Sequence, residues 1–227
     1  MTRANLSLND KSYEFPTFAG SENELAIDCS TLRGTTGAIT YDPGYGNTGS
    51  CKSAITYIDG EKGILRYRGY PIEDLVNHAT FAQVAYLLIN GDLPNAEETT
   101  TWRAELTRNS LVHESLLKFF DHFPVTAHPM NILASTISSM SSFYPYDGED
   151  EAHINLNIMR LLGQVKTLAA FSYKKSVGQR VVYPRSELSY PANFLRMMFG
   201  LPTEDYEVSP VIEKALDALL ILHADHE

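Results

Sequence analysis

The sequence predicts a mainly α protein with a small β-rich N-terminal region, and three observations carry that expectation. Up to about residue 70, short β-branched or aromatic runs alternate with Asp–Gly, Gly–Asn and Pro–Gly turn chemistry. From Pro71 onward, apolar residues recur at helical spacing between recognisable caps. The chain has 227 residues, of which 44% are hydrophobic, enough apolar side chains to offset ordering entropy and bury a core. The organisation expected is a β-rich region over residues 1–70 and a helical part over 71–227, in one or two domains.

Gly37 to Tyr41, Ala54 to Ile58 and Ile64 to Tyr67 read as strands. Ile55 to Ile58 and Gly63 to Tyr67 flank Asp59-Gly60-Glu61-Lys62, which predicts a β-hairpin with a four-residue loop. Pro71 suits the first turn of a short helix running to about Asn77. Thr80 caps FAQVAYLLIN, and Gly91 closes it in the left-handed conformation. Asn95 and Glu98 have capping-box spacing for a helix through Trp102 and Leu106.

Leu111 to Phe123 reads as an amphipathic helix with Leu116, Leu117, Phe119, Phe120 and Phe123 as its buried face. A further helix starts near Pro129 and ends by Tyr144, before Pro145. Helices over about Asp150 to Leu162 and Gln164 to Ser176 are separated or bent at Gly163. Asn193 to Phe199 and Pro210 to the end complete the set, with Ser209 as cap for the last. Connections are short, so consecutive helices should pack antiparallel.

Charge and composition narrow the function. Lys and Arg number 18 against 28 Asp and Glu, a net charge of −10 that argues against a nucleic-acid binder using its whole surface. Two cysteines, Cys29 and Cys51, are too few for a disulfide framework and have no CxxC spacing, so buried or inert thiols in a reducing, cytoplasmic setting are expected. The opening MTRANLSLNDKSYEF lacks the run of about 7–15 apolar residues of a signal peptide. No apolar run is long enough to span a membrane. The glycines from Gly44 to Gly49 form neither a dinucleotide fingerprint nor a P-loop. The chain stops at Glu227 inside an apolar, helix-periodic run, which predicts a fragment.

Two features could carry chemistry. From Ala152 to Ser186 there is no Asp or Glu, while Arg160, Lys166, Lys174, Lys175, Arg180 and Arg185 are present. Such a basic island reads either as a solvated or interface face or as a holder of phosphate or carboxylate groups. His223 and His226 lie three positions apart, about 60° around a helix, and so share one face. Three readings of the pair stay open. They could share a metal, although the zincin pattern is His-Glu-x-x-His and this run is His-Ala-Asp-His-Glu. They could be satisfied core or interface histidines. Or their N–H groups could line an anion or carbonyl pocket. Among the other histidines, His113 and His122 read as partly exposed helix residues and His128 as a local cap or turn residue; His78 and His153 carry no pattern.

The run from Leu32-Arg33-Gly34 through Tyr41-Asp42-Pro43-Gly44, then Tyr57 to Gly60, Gly63 to Leu65 and Tyr67 to Ile72, resembles the N-terminal part of citrate synthase. So do Leu88 to Pro94, Ala127 to Met130 and Ser189 to Leu195, and the closing Leu222-His223-Ala224-Asp225-His226-Glu227 is similar to the family's His-x-Asp-His-Glu segment. The similarity spans the chain, is weakest over the first 30 residues, and is nearest to the long bacterial form typical of Gram-negative organisms.

The resemblance implies a citrate synthase-like multi-helix fold, of which this chain supplies an incomplete large domain. It implies condensation of acetyl-CoA with oxaloacetate and water to citrate and CoA, in the tricarboxylic acid cycle. Neither metal nor cofactor is implied, acetyl-CoA being a substrate. His226 matches the histidine that contacts oxaloacetate, and His223 the one that supports it. The catalytic Asp, the other catalytic histidines and the carboxylate-binding arginines of the family have no counterpart up to Glu227. No catalytic residue is therefore expected within the chain, which alone should be inactive. The long form is commonly inhibited by NADH, for which Arg108, Tyr144, Arg160 and Lys166 are the candidate contacts. A homodimer or homohexamer is implied for the full-length enzyme, with no nucleic-acid or membrane partner. The rival within the fold is 2-methylcitrate synthase, using propionyl-CoA. Outside it stand a non-catalytic helical interaction module and, more distantly, a metallohydrolase using His223 and His226.

Overall fold

The structure, a computed structural model, describes residues 3–144 and 150–225. Pro145, expected to follow a helix end, and His226 lie outside the described residues. The chain divides into two compact units, Met1–Ser53 and Ala54–Glu227.

In the first unit, β1 (Arg3–Leu8), β2 (Lys11–Ala19) and β3 (Leu25–Ile27) form an antiparallel meander in the order β1-β2-β3. Asn9 and Asp10, with φ of 50° and 59°, make the two-residue turn that pairs Leu8 with Lys11. Phe15 and Thr17 bury one face of β2, and Leu32 is buried at the start of a short helix, α1 (Leu32–Thr36). The strand expected over Gly37 to Tyr41 is absent. Ile39 and Tyr41 are 68% and 88% exposed, so this run has no buried face to stabilise a ladder.

The second unit opens on the expected hairpin, β4 (Thr56–Asp59) and β5 (Ile64–Tyr67), extended by β6 (Tyr70–Pro71). Arg68 and Gly69 turn between β5 and β6 with φ of 50° and 90°. The left-handed Arg68 is held by its N–H on Ile55 O (2.7 Å) and by Nη2 on Leu88 O (2.8 Å). Tyr67 has no exposed surface and packs with Ile72, Leu75, Val84, Leu87 and Ile221, so the hairpin shares the core of the helical unit.

Among the described residues, eight α-helices follow. They are α2 (Ile72–His78), α3 (Phe81–Asn90), α4 (Ala96–Arg108), α5 (Glu114–Asp121), α6 (Pro129–Ser139), α7 (Glu151–Ser176), α8 (Tyr190–Phe199) and α9 (Pro210–Leu222). The mainly α fold with small β-sheets is the one expected. Thr80 and Gln83 form a full capping box, Gly91 ends α3 at φ 96°, and Asn95 and Glu98 form a second box. His128 caps α6, its Nδ1 accepting from Met130 N–H at 3.2 Å.

Several boundaries differ from expectation for local reasons. The helix expected from Leu111 starts at Glu114, because His113 is extended and accepts the Ser115 N–H on Nδ1. Of its predicted buried face, Leu116 and Phe120 are buried and Phe119 is 37% exposed. α6 stops at Ser139 and passes into a 3₁₀ turn over Met140–Ser142. α8 begins three residues early, since Ser189 Oγ accepts the Ala192 N–H. Gly163 neither separates nor ends a helix: α7 is continuous over 26 residues, and Gly163 marks close approach to the end of α4.

Two further clusters complete the core. Leu116, Phe120, Ile132, Leu168, Phe171 and Met197 join α5, α6, α7 and α8. Ala82, Ala85, Trp102 and Leu106 join α3 to α4, with Ile158 and Leu162 of α7 against them.

Candidate functional site

The C-terminal end of α9 is seated by the hairpin. Tyr67 reaches it from β5, its hydroxyl lying 3.3 Å from Leu222 O and 3.2 Å from Asp225 O, while the Asp225 N–H donates back to it at 3.4 Å. A helix end leaves carbonyls unpaired, and this phenol serves them in place of water. Burial, with the neighbouring Asp225 charge adding to it, raises the Tyr67 pKa, so it stays a donor. Thr56 Oγ donates to the Asp225 carboxylate, fixing the residue before His226. Strand residues 155 or more positions away thus hold the chain from Leu222 to Asp225.

His223 is exposed at the C-cap of α9 and donates Nδ1–H to Leu219 O at 2.8 Å. That bond makes Nδ1 the protonated nitrogen, so in the neutral ring Nε2 is the acceptor. Among the described residues no three His, Cys, Asp or Glu side chains stand together as metal ligands; His226 is not one of them.

The basic island serves several ends at once. Arg160 stacks 4.7 Å over the Tyr144 ring and donates to Asn157. Gln164, on the same face, donates to the Tyr144 hydroxyl (2.9 Å) and to Leu111 O (3.1 Å). Arg108 pairs with Glu105 at the exposed end of α4, one residue before the Asn109 carbonyl that abuts Gly163. Arg108, Arg160 and Tyr144 therefore lie around one junction of α4 and α7. Lys166 is turned elsewhere: six residues after Arg160 puts it about 120° around the helix. Its Nζ donates to Ser110 Oγ at 2.9 Å and sits 4.4 Å from the Tyr190 ring centre. Lys174 is fully buried and donates to Gly200 O and Gln179 Oε1, tying the end of α7 to the end of α8. Arg185 pairs with Asp205, and Arg180 is exposed.

Lys166 also lines a cavity of ≈ 480 Å³ between the starts of α3, α8 and α9 and the flanks of α4 and α7. Two carboxylates on α9 face this region. Glu213 accepts from Ser189 Oγ, and Asp217 accepts the Phe81 N–H at 3.1 Å. Burial raises the Asp217 pKa, Glu213 adding to it, against the lowering by the Phe81 N–H. Sequence reading missed this cavity, because its walls come from five helices; the one local signal was the cap at Thr80. It also missed Tyr67, which gave only a strand signal. His153 pairs with Asp150, the cap of α7, and His78 bonds Asp74 O. Cys29 and Cys51 are free and exposed, so of the buried or inert thiols expected the buried alternative is not met. Among the described residues no helix is long and apolar enough to cross a membrane.

Fold and site together describe a helical body that presents a His-Ala-Asp segment at a helix end braced by a β-hairpin. Comparison with known proteins places that architecture. Residues 44–227 match the family model of the citrate synthase C-terminal domain. Citrate synthase 1 of Mycobacterium tuberculosis, in strains CDC 1551 and H37Rv, is 46% identical over 209 residues, which is 91% of this chain and 48% of that protein. The chain spans about half the length of the curated relatives it matches. Among solved structures, citrate synthase from Pyrobaculum aerophilum is 32% identical with a TM-score of 0.69, covering 85% of this chain and 50% of that one. Citrate synthase from Thermotoga maritima is 27% identical with a TM-score of 0.70, covering 83% and 48%. The Thermoplasma acidophilum enzyme, solved with carboxymethyl coenzyme A and oxaloacetate, has a TM-score of 0.73 at 21% identity over 80% and 46%, a likeness of fold. The chain belongs to the citrate synthase family.

Proposed function

We propose that this chain carries the oxaloacetate-binding part of a citrate synthase, which condenses acetyl-CoA with oxaloacetate and water to citrate and CoA. The observation that carries the reading is the 46% identity with Citrate synthase 1 over 91% of the chain. An imidazole N–H donating to a ketone oxygen stabilises the negative charge that grows there as a carbon nucleophile adds. His226 takes that role in this reading. His223, its Nδ1–H spent on Leu219 O, is the supporting residue, positioning rather than polarising.

The remaining parts of the proposal follow from the same family. The enzyme works in the cytoplasm as a homodimer or homohexamer, with acetyl-CoA as substrate and no added cofactor. Val211, Ile212, Leu219 and Leu222, exposed along α9, support its packing against further protein. NADH inhibition would use the junction where Arg160 stacks on Tyr144 near Arg108; Lys166 faces away from it.

The test is oxaloacetate-dependent thiol release by the natural gene product, with acetyl-CoA and propionyl-CoA side by side. Faster turnover of acetyl-CoA, lowered about 100-fold or more by His226→Ala, is expected. Preference for propionyl-CoA would assign the 2-methylcitrate reaction, and no thiol release with either would assign a non-catalytic module. The 227-residue chain assayed alongside reports whether these residues suffice. NADH titration of Arg160→Ala tests the junction: unchanged inhibition removes it from the proposal.

A further inference from the structure

Lys166 is 6% exposed, yet no described carboxylate pairs with it; burial alone acts on its charge. Its hydrogen bond to Ser110 and its place over the Tyr190 ring are weak compensation for an ammonium withdrawn from water. What Lys166 does have is the ≈ 480 Å³ cavity that it lines. Arg103 and Lys214 are exposed at the same cavity, and among the described residues neither is engaged in an ion pair. The two acidic residues of the lining are already engaged. Glu213 accepts from Ser189 at the start of α8, and Asp217 takes the first N–H of α3. Three cations thus face a space whose carboxylates are turned to helix N-termini, and the volume is in the range of small-molecule sites. Leu106, Leu188 and Pro191 give it apolar wall.

We propose that this cavity binds a small organic anion, a phosphate or carboxylate group on a compact apolar body, with Lys166 as the buried charge contact and Arg103 and Lys214 at the rim. The site is independent of the condensation chemistry and of the Arg160–Tyr144 junction, which occupies another face of α7. Binding is linked to protons. Burial holds the Lys166 pKa down to about 8, and a bound anion would draw it back up, so affinity falls as pH rises past that value. The other charged or titratable groups facing it are Arg103 on α4, Tyr190 on α8, and Glu213, Lys214 and Asp217 on α9. Tyr190 is shifted further upward by burial, and Asp217, though raised, is a carboxyl group.

The test is calorimetric titration of the chain with phenyl phosphate and, separately, with phthalate at about pH 7. Saturable one-to-one binding is expected, weakened about tenfold or more by Lys166→Met and severalfold by Arg103→Gln, and unchanged by Lys118→Gln on α5. Arg103→Gln changes an exposed residue and keeps the test decisive should Lys166→Met fold poorly. Raising the pH to about 9.5 should weaken binding to the wild type and leave Lys166→Met unaffected. Binding of phenyl phosphate alone assigns a phosphate-bearing ligand, phthalate alone a carboxylate, and both the shared anion chemistry. The proposal is overturned if neither saturates, or if both variants bind as the wild type does.

Discussion

Replacing Gly163 by alanine separates two opposed expectations. Intrinsic propensity favours Ala over Gly in a helix interior by about 1 kcal/mol, so Gly163→Ala should stabilise α7 if nothing else touched it. In the structure, a Cβ at this position would lie 2.6 Å from Asn109 O, 2.8 Å from Asn109 C and 3.0 Å from Leu106 O. All three are backbone atoms, which cannot swing aside as a side-chain tip could. Restoring ordinary contact, 3.4 Å or more, means moving the end of α4 by roughly 0.8 Å. That end is also bonded to α7 by Thr167 Oγ on Ser110 O (2.8 Å), Lys166 Nζ on Ser110 Oγ (2.9 Å) and Gln164 Nε2 on Leu111 O (3.1 Å). Overpacking of about 1–3 kcal/mol and partial loss of bonds worth about 1 kcal/mol each outweigh the propensity gain, leaving a net loss of about 2–4 kcal/mol. Urea unfolding followed by far-UV circular dichroism measures it as a midpoint lowered by about 1–2 M. An unchanged or raised midpoint would refute the close approach of α4 to α7.

Tyr67→Phe keeps the buried ring and removes the hydroxyl at Leu222 and Asp225; a loss of about 1–2 kcal/mol is expected in the same unfolding assay, with faster amide exchange at Asp225. The two buried lysines should respond in opposite directions. Lys174→Met strands Gly200 O and Gln179 Oε1 and should cost about 2–3 kcal/mol. Lys166→Met, with one neutral partner lost and no ion pair broken, should stabilise at pH 7 by up to about 3 kcal/mol. For Lys166 the folded pKa lies below the unfolded one, so the unfolded chain binds the extra proton between about 8 and 10.5 and wild-type stability rises with pH across that window. The gain from Lys166→Met should therefore shrink over the same window, and a constant gain from pH 7 to about 10.5 would contradict the assignment.

Residues that act on their near neighbours were the ones legible in sequence. Thr80, Asn95 with Glu98, Gly91 and His128 each settle a helix end within four residues, by satisfying groups the helix itself leaves open. The hairpin around Asp59 to Lys62 was legible for the same reason. A separation at Gly163 was expected in error because the residue's meaning lies in Asn109, a partner 54 positions away that periodicity does not reveal. β2 went unseen because it buries only Phe15 and Thr17 along nine residues and carries Pro16, a residue that ordinarily argues against a strand. His113 was placed within a helix that it instead caps. At the candidate site, His223 and His226 stood out as a spaced pair, whereas the Tyr67 and Thr56 contacts to Leu222 and Asp225 cross the length of the second unit. The cavity at Lys166 is legible only once five helices are assembled.

Oxaloacetate binding to the natural gene product, measured calorimetrically for wild type, His226→Ala and Tyr67→Phe, bears most directly on the claim that the braced end of α9 is a substrate site. Saturable binding is expected in the wild type, lost in His226→Ala and weakened severalfold in Tyr67→Phe, where the brace is cut but the histidine remains. Wild-type affinity in His226→Ala, or no binding to the wild type at all, would contradict it.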